Sequence, residues 1–333
     1  MRFEDTSFNE LRDLAEVTTS VAAASVAGIF NGLAERPRSA HELADGLGMD
    51  RRAMGILLPL LEQLGLLARE GEVYRPTARA RAEFIDRDSP GYSAGGLELW
   101  LANLQAWTLL PEVLRSGHPV SRAADGDDEE SEEERRARIA RFMEGMAAAP
   151  QERVRRLADL VLERKPGAGT LLDLGGGPGH ISQEFCRRGM RATLVDLPDT
   201  VAFVRERYGL DEVEGLEVVG ADFLRDPLPE GPFDVVLLSN ILHMLDREAC
   251  RELIGKVGRV VPPGGVVAVA DFIRGVSPRA ARFALVMLLR TERGDTYTLD
   301  EHVEWFEAAG FGAPEMAELD SERQVVTAVK GAD

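Results

Sequence analysis

Residues 170–179, TLLDLGGGPG, constrain this chain more than any other stretch. Leu171, Leu172 and Leu174 form a short apolar run that meets Gly175, Gly176, Gly177, Pro178 and Gly179. A run of that length ending in glycine predicts a buried parallel strand over 170–174. The glycines predict a turn in which the backbone comes very close to something else, because no Cβ stands in the way. A helix is expected from His180. Strand, glycine turn and helix in that order make a nucleotide-type site at the carboxyl end of a first strand.

Downstream, apolar runs alternate with helical periodicity. Strands are expected over 170–174, 192–197, 216–221, 233–238 and 266–272, and helices over 180–188, 199–208, 245–259 and 279–290. A helix over 300–309 stops at Gly310, and strands over 315–318 and 324–329 read as an antiparallel hairpin on the sheet edge. Strands alternating with helices predict an α/β fold with a doubly wound, mostly parallel sheet.

Upstream the periods are helical. Phe8, Leu11, Leu14, Val17, Val21, Ala24, Ile29 and Leu33 predict one helix over 8–35. Ser39 with Glu42 makes a capping box for a short helix ending at Gly46–Gly48, and Asp50 caps another over 51–64. Residues 66–69 and 72–75 then read as a hairpin around Glu70 and Gly71. Helices followed by a two-stranded wing predict a mostly α-helical winged-helix domain. Residues 1–110 hold eleven arginines, no lysine and sixteen acids, and the helix over 51–64 offers Pro59, Glu62 and Gln63 after its two arginines. A groove-reading helix belongs in a basic domain, so the module is read as a packing or dimerisation unit. Tyr92, Leu97, Trp100, Leu104, Trp107 and Leu114 continue an apolar helical region that serves as core, pocket wall or dimer seam.

Composition shifts at the acidic run over 123–134, read as a solvated loop, after which Ile139, Phe142, Met143 and Met146 resume helical spacing. The domains are read as 1–120, winged-helix dimerisation; 121–165, acidic loop and connecting helices; and 166–333, the nucleotide-type domain. The net charge of −18 argues against bulk attraction to nucleic acid or an anionic membrane. No apolar run is long enough for a membrane span, and the first residues lack the layout of a signal peptide. Cys186 and Cys250 stand without metal-ligand spacing, so they read as free thiols in a reducing cytoplasm, with no metal site.

The ligand of the glycine turn can be narrowed. A dinucleotide fingerprint needs a sixth glycine counted from Gly175, and that position is His180. A P-loop needs a lysine, and the turn has none. What remains is Asp173 at the strand end, Asp196 at the end of the next strand, placed for a ribose diol, and Asp222 with Phe223 after the third. Asp173 serves equally well as a ligand contact or as a structural acid under the turn. Acid-lined walls suit a ribonucleoside that has no phosphate and carries a positive centre, features that S-adenosylmethionine combines.

DLGGGPG, VDLP, GADF, FDVVLLSNILHML and PPGGVVAVADFI, in that order, resemble the motifs of class I S-adenosylmethionine-dependent methyltransferases. With the winged-helix region, the whole chain resembles the small-molecule O-methyltransferase family of plant caffeate-type and bacterial natural-product enzymes. The resemblance implies a Rossmann-like methyltransferase sheet and cofactor contacts at Gly175, Gly176, Gly177, Asp196, Asp222, Phe223 and Ser239, the last where the family often has lysine. Asp173, Leu197 and Asn240 complete the candidate cofactor set.

His243 lies five residues past the fourth strand, at the sheet edge that faces the pocket, and matches the family's catalytic base. Asp271, one methylene shorter than the family's glutamate, is its expected orienting acid; a second family glutamate corresponds to Thr296, and Met244 follows the base. These departures leave open a weaker base, transfer by proximity alone, or carbon methylation. Of the other histidines, His41 and His302 read as helix-surface positions, His118 as a loop residue and His180 as a helix opener. Phe142, Met146, Phe283, Met287 and Leu288 are the expected acceptor contacts, apolar enough for a flat substrate.

The sequence therefore predicts a cytoplasmic homodimer that transfers a methyl group from S-adenosylmethionine to a hydroxyl of an aromatic small molecule. The alternatives are ring carbon methylation, a DNA-binding regulator with a methyltransferase-like sensor domain, and a cofactor-binding relative without transfer activity.

Overall fold

The structure, a computed structural model, describes residues 6–87, 89, 91–119 and 131–332; most of the expected acidic loop lies outside them. The chain divides into two units, Met1–Gln105 and Ala106–Asp333, a division that falls before residue 120, where the sequence places the first domain boundary.

In the first unit, α1 (Phe8–Val26) starts from a capping box of Ser7 and Glu10. The helix expected over 8–35 is broken: Gly28 adopts φ +74°, and a short α2 (Ile29–Gly32) follows it. A left-handed glycine ends a helix at little cost, and side-chain periodicity alone does not reveal the break. Next come β1 (Arg38–Ser39), α3 (Ala40–Leu47), α4 (Arg51–Gln63), β2 (Leu67–Glu70), β3 (Val73–Pro76), α5 (Ala78–Phe84) and α6 (Ala94–Thr108). Both expected caps form: Glu42 with Ser39 at α3, and Asp50 on the Ala53 N–H at 2.8 Å for α4. The wing gains a third strand, in the order β1-β3-β2. Ile29, Phe30, Leu33, Leu43, Leu58 and Leu61 fill the core beneath it, and Phe30 stacks on Phe84 at 4.3 Å.

In the second unit, α7 (Leu110–Ser116), α8 (Glu132–Ala147) and α9 (Gln151–Arg164) precede β4 (Thr170–Leu174), the strand before the glycine turn. The alternation continues through α10 (His180–Arg187), β5 (Arg191–Asp196), α11 (Pro198–Tyr208), β6 (Leu216–Gly220), β7 (Val235–Ser239), α12 (Arg247–Val260) and β8 (Val266–Asp271). It ends with α13 (Ala280–Arg290), α14 (Leu299–Ala308), β9 (Glu315–Glu318) and β10 (Gln324–Val329). The seven strands run in the order β6-β5-β4-β7-β8-β10-β9. The first five are parallel, and β10 is antiparallel to β8, from Gln324 opposite Asp271 to Val329 opposite Val266.

The late hairpin forms the sheet edge as expected, with β10 against β8 and β9 outermost. Burial explains the choice, since QVVTAV has two apolar faces to cover while EMAE has none. Adjacent residues of β4 go to opposite faces, as the strand period requires. Leu172 and Leu174 join Leu253, Ile254 and Phe306, whereas Leu171 joins Leu157, Val161 and Phe185. The chain order reverses between β4 and β7, and in an open α/β sheet the crevice at that point is where ligands bind.

Candidate active site

The glycine turn sits at that crevice. Gly175 adopts φ +72°, and a Cβ there would overlap the Ile241 side chain arriving from the β7 side. At Gly176 a Cβ would come within 2.5 Å of Leu194 Cγ and 2.9 Å of Asp173 Oδ2. The turn is therefore packed tightly beneath and across the crevice, which leaves its backbone as the surface offered to a ligand.

Two carboxyls support it. Asp173 is 1% exposed and accepts from Ser182 Oγ at 2.6 Å. Burial pushes its carboxyl up to about 6; the Ser182 hydroxyl opposes this and Asp196 adds to it. Asp196 accepts from the Gly177 N–H at 2.9 Å and the Leu197 N–H at 2.8 Å. Burial raises this carboxyl too, against those hydrogen bonds and one to Thr200. The partners of both acids are hydroxyls and backbone N–H groups rather than cationic side chains, so a ligand with a positive centre fits here and a phosphate does not.

Asp222 follows β6, its Oδ1 accepting from the Leu224 N–H at 3.0 Å. A Cβ on Gly175 would lie 3.8 Å from Phe223 Cε1, so this ring lines the same crevice. Across it, Asn240 is the one described non-glycine residue in the left-handed region, at φ 59°. Its N–H donates to Ala270 O at 3.0 Å and its side-chain amide to Ser239 Oγ at 3.2 Å. Backbone strain of this kind persists only where surrounding contacts enforce it. Here it swings the chain from β7 into a single 3₁₀ turn, Leu242–Met244, which carries His243.

His243 and Asp271 are 5% and 4% exposed, and His243 Nδ1 lies 2.7 Å from Asp271 Oδ1. Burial would raise the Asp271 carboxyl, but the imidazole, its hydrogen bond and the Phe272 N–H together hold it below the usual carboxylate range. An ionised carboxylate only accepts, so Nδ1 carries a proton, and in the neutral imidazole Nε2 is the atom with the free lone pair. The turn is fastened from behind by the Cys250 thiol on Leu242 O at 3.3 Å and by Tyr297 Oη on Leu245 O. Phe283 meets the imidazole edge-on at 4.8 Å and packs on Phe272 at 4.3 Å.

The remaining candidates divide. Met287 lies one helical turn beyond Phe283 on α13 and is buried, while Leu288 is half-buried. On α8 it is Met143 that reaches the glycine turn, its sulfur 3.5 Å from a Cβ placed on Gly177. Phe142 packs with Ile139 and Met143 against Val201 and Val204, and Met146 is half-buried. Thr296 is buried, and its neighbour Asp295 is paired with Arg274.

His302 is not a helix-surface residue. It is 2% exposed because it shares a buried stripe of α14 with Trp305 and Phe306, and its Nδ1 binds Thr298 O at 2.7 Å. Burial, with Arg153 adding to it, pushes His180 down to about 4. His41 is exposed, and His118 is an exposed partner of Glu292 at 3.4 Å. Ser182 and Met143 were missed as site residues. The helical period does put Ser182 on the first turn of α10, but which side of that turn faces Asp173 is a tertiary matter.

The profile of the O-methyltransferase domain family matches residues 125–312. The 3-hydroxy-5-methyl-1-naphthoate 3-O-methyltransferase of Streptomyces sahachiroi is 33% identical over 302 residues, covering 88% of this chain and 85% of the relative. The tetracenomycin polyketide synthesis 8-O-methyl transferase of Streptomyces glaucescens is 31% identical, covering 85% and 84%. Among solved structures, human N-acetylserotonin methyltransferase in complex with SAM superposes with a TM-score of 0.82 at 23% identity, covering 99% of both chains.

Proposed function

We propose the reaction from one premise: the chain belongs to the O-methyltransferase family. In this reading it transfers a methyl group from S-adenosylmethionine to a hydroxyl of an aromatic small molecule. The observation that carries it is the buried His243–Asp271 pair at the carboxyl edge of the sheet, beside the glycine crevice. The named relatives support the acceptor class, since naphthoate and tetracenomycin skeletons are aromatic.

When bound, S-adenosylmethionine supplies an electrophilic methyl group on a sulfonium leaving group. The chain's residues do the rest. The backbone of Gly175, Gly176 and Gly177 receives the methionine end, with Asp173 beneath it. Asp196 accepts from the N–H groups of Gly177 and Leu197 and from Thr200, and its remaining acceptor capacity is assigned to the ribose hydroxyls. Asp222 and Phe223 take the base, and Ser239 and Asn240 close the other wall. His243 Nε2 removes the proton of the acceptor hydroxyl as the new O–C bond forms, and Asp271 stabilises the resulting imidazolium. Alignment of acceptor and methyl group contributes on the order of 7–11 kcal/mol. Phe283 and Met287, with Leu288, Phe142 and Met146, are assigned to the acceptor side.

The first unit is read as a dimerisation domain. Phe8, 91% exposed, with Leu14 and Val26 on α1, supports a homodimer; the acidic balance supports a protein that leaves nucleic acid and membranes alone, and the free thiols Cys186 and Cys250 support a cytoplasmic one. No helix among the described residues is long and apolar enough to cross a membrane. Incubation with S-adenosylmethionine and a panel of hydroxylated bicyclic and polycyclic aromatics tests the reaction, with products assigned by NMR. A methoxyl product that the His243→Ala protein makes far more slowly is the expected result. A ring C-methyl product would replace O- by carbon methylation. Absence of S-adenosylhomocysteine with every phenol would overturn the enzymatic reading.

A further inference from the structure

The chain holds three lysines against 36 arginines, so a lysine at a structured position calls for an explanation. Lys256, on α12, points Nζ at the turn after β6. It donates to Phe223 O at 3.0 Å, Leu224 O at 2.7 Å and Asp226 O at 3.0 Å. The turn is also tied internally. Asp226 Oδ2 accepts from the Asp222 N–H at 3.0 Å, and Asp222 O accepts from the N–H groups of Arg225 at 2.9 Å and Asp226 at 2.7 Å. Three carbonyl dipoles aimed at one point repel one another unless a cation sits there. An ammonium presents three donors from one small centre, whereas the donors of a guanidinium lie in a plane and fan outward.

We infer that Lys256 is a positioning residue for the cofactor: its ammonium fixes the Asp222–Phe223 turn in the shape that receives the adenosine end of S-adenosylmethionine. This rests on the reading that Asp222 and Phe223 face that ligand. Lys256 itself stays on the far side of the backbone and works through the carbonyls. Without it, the turn keeps its internal hydrogen bonds but loses the common anchor that sets the direction of the Phe223 ring.

The test uses the full chain, with S-adenosylhomocysteine and 5′-deoxy-5′-methylthioadenosine as calorimetric probes; the second carries the adenosine end alone. Lys256→Met is expected to weaken both by the same factor, about tenfold, as loss of charge-assisted hydrogen bonds implies. Lys256→Arg should fall between Lys256→Met and the unaltered protein, and thermal unfolding should show the variants folded. Equal affinities in a folded Lys256→Met protein, or full recovery by arginine, would overturn the inference. If Lys256→Met does not fold, Lys256→Gln carries the same comparison. Asp222→Ala separates the layers. Unchanged binding there overturns the site reading and the lysine's role together, while weakened binding there with unchanged binding in Lys256→Met overturns the lysine's role alone.

Discussion

His243 and Asp271 meet at 2.7 Å across 28 residues of chain, one from the 3₁₀ turn after β7 and the other from the last position of β8. Parallel neighbours end at the same sheet edge, so the register of the two strands delivers the acid to the histidine. His243→Ala should lower kcat by about 10²–10⁴-fold, the usual contribution of a general base. Affinity for S-adenosylhomocysteine, read by calorimetry, should stay within error. Asp271→Asn should also lower kcat, by less, because the amide no longer stabilises an imidazolium.

Asp173 has a consequence for stability against pH. Its folded carboxyl titrates near 6, above the 3.8 of a free aspartate. Between those values the folded state binds more protons than the unfolded one, so this group's contribution falls as pH rises and is lowest above 6. The shift corresponds to about 3 kcal/mol. Asp173→Asn, which can still accept from Ser182, should therefore raise the unfolding temperature of the ligand-free protein at pH 7.5 more than at pH 4. Equal increments at both pH values would show that the burial of Asp173 carries no such cost.

Gly176→Ala would drive a methyl group into Leu194 Cγ and Asp173 Oδ2. Overpacking of this kind costs about 1–3 kcal/mol. The variant should show a lower unfolding temperature and weakened calorimetric binding of S-adenosylhomocysteine, because relief of the clash displaces the turn itself.

Phe283 bears edge-on against the His243 imidazole at 4.8 Å. Such aromatic contacts contribute about 0.5–1.5 kcal/mol beyond burial. Phe283→Ala should reduce kcat up to about tenfold. Phe283→Tyr should retain most of it. A kcat unchanged in the alanine variant would leave Phe283 a packing residue only.

Asn240 pays for its left-handed backbone with about 1 kcal/mol or more, a cost that glycine does not bear and a β-branched residue feels most. Asn240→Val should destabilise the protein in urea titration. Asn240→Gly should be near neutral in stability yet bind S-adenosylhomocysteine more weakly, because the amide on Ser239 is gone.

The central parallel strands β4, β7 and β8 were legible because each is buried on both faces, so VVLLS or VVAVAD could hardly be anything else. The acids at their ends were legible for the same reason: in a fully apolar strand a terminal aspartate stands out. What stayed hidden depended on neighbours distant in sequence. Whether His302 faces out or in is decided by where α14 lies on α12, and a lone histidine among acids reads as surface. Met143 rather than Phe142 reaches the glycine turn because α8 presents that side, a rotation that apolar spacing does not specify. The break at Gly28 and the third strand of the wing were lost likewise, since two residues of strand carry no period at all.

Gly175 and Ile241 touch across the crevice, and Ile241 stands two residues before His243. The glycine turn proposed to hold the cofactor thus packs against the turn that carries His243, the proposed base. The space a side chain at position 175 would need is already filled by Ile241, so the two turns are joined by one side chain and a larger residue at either position would disturb both.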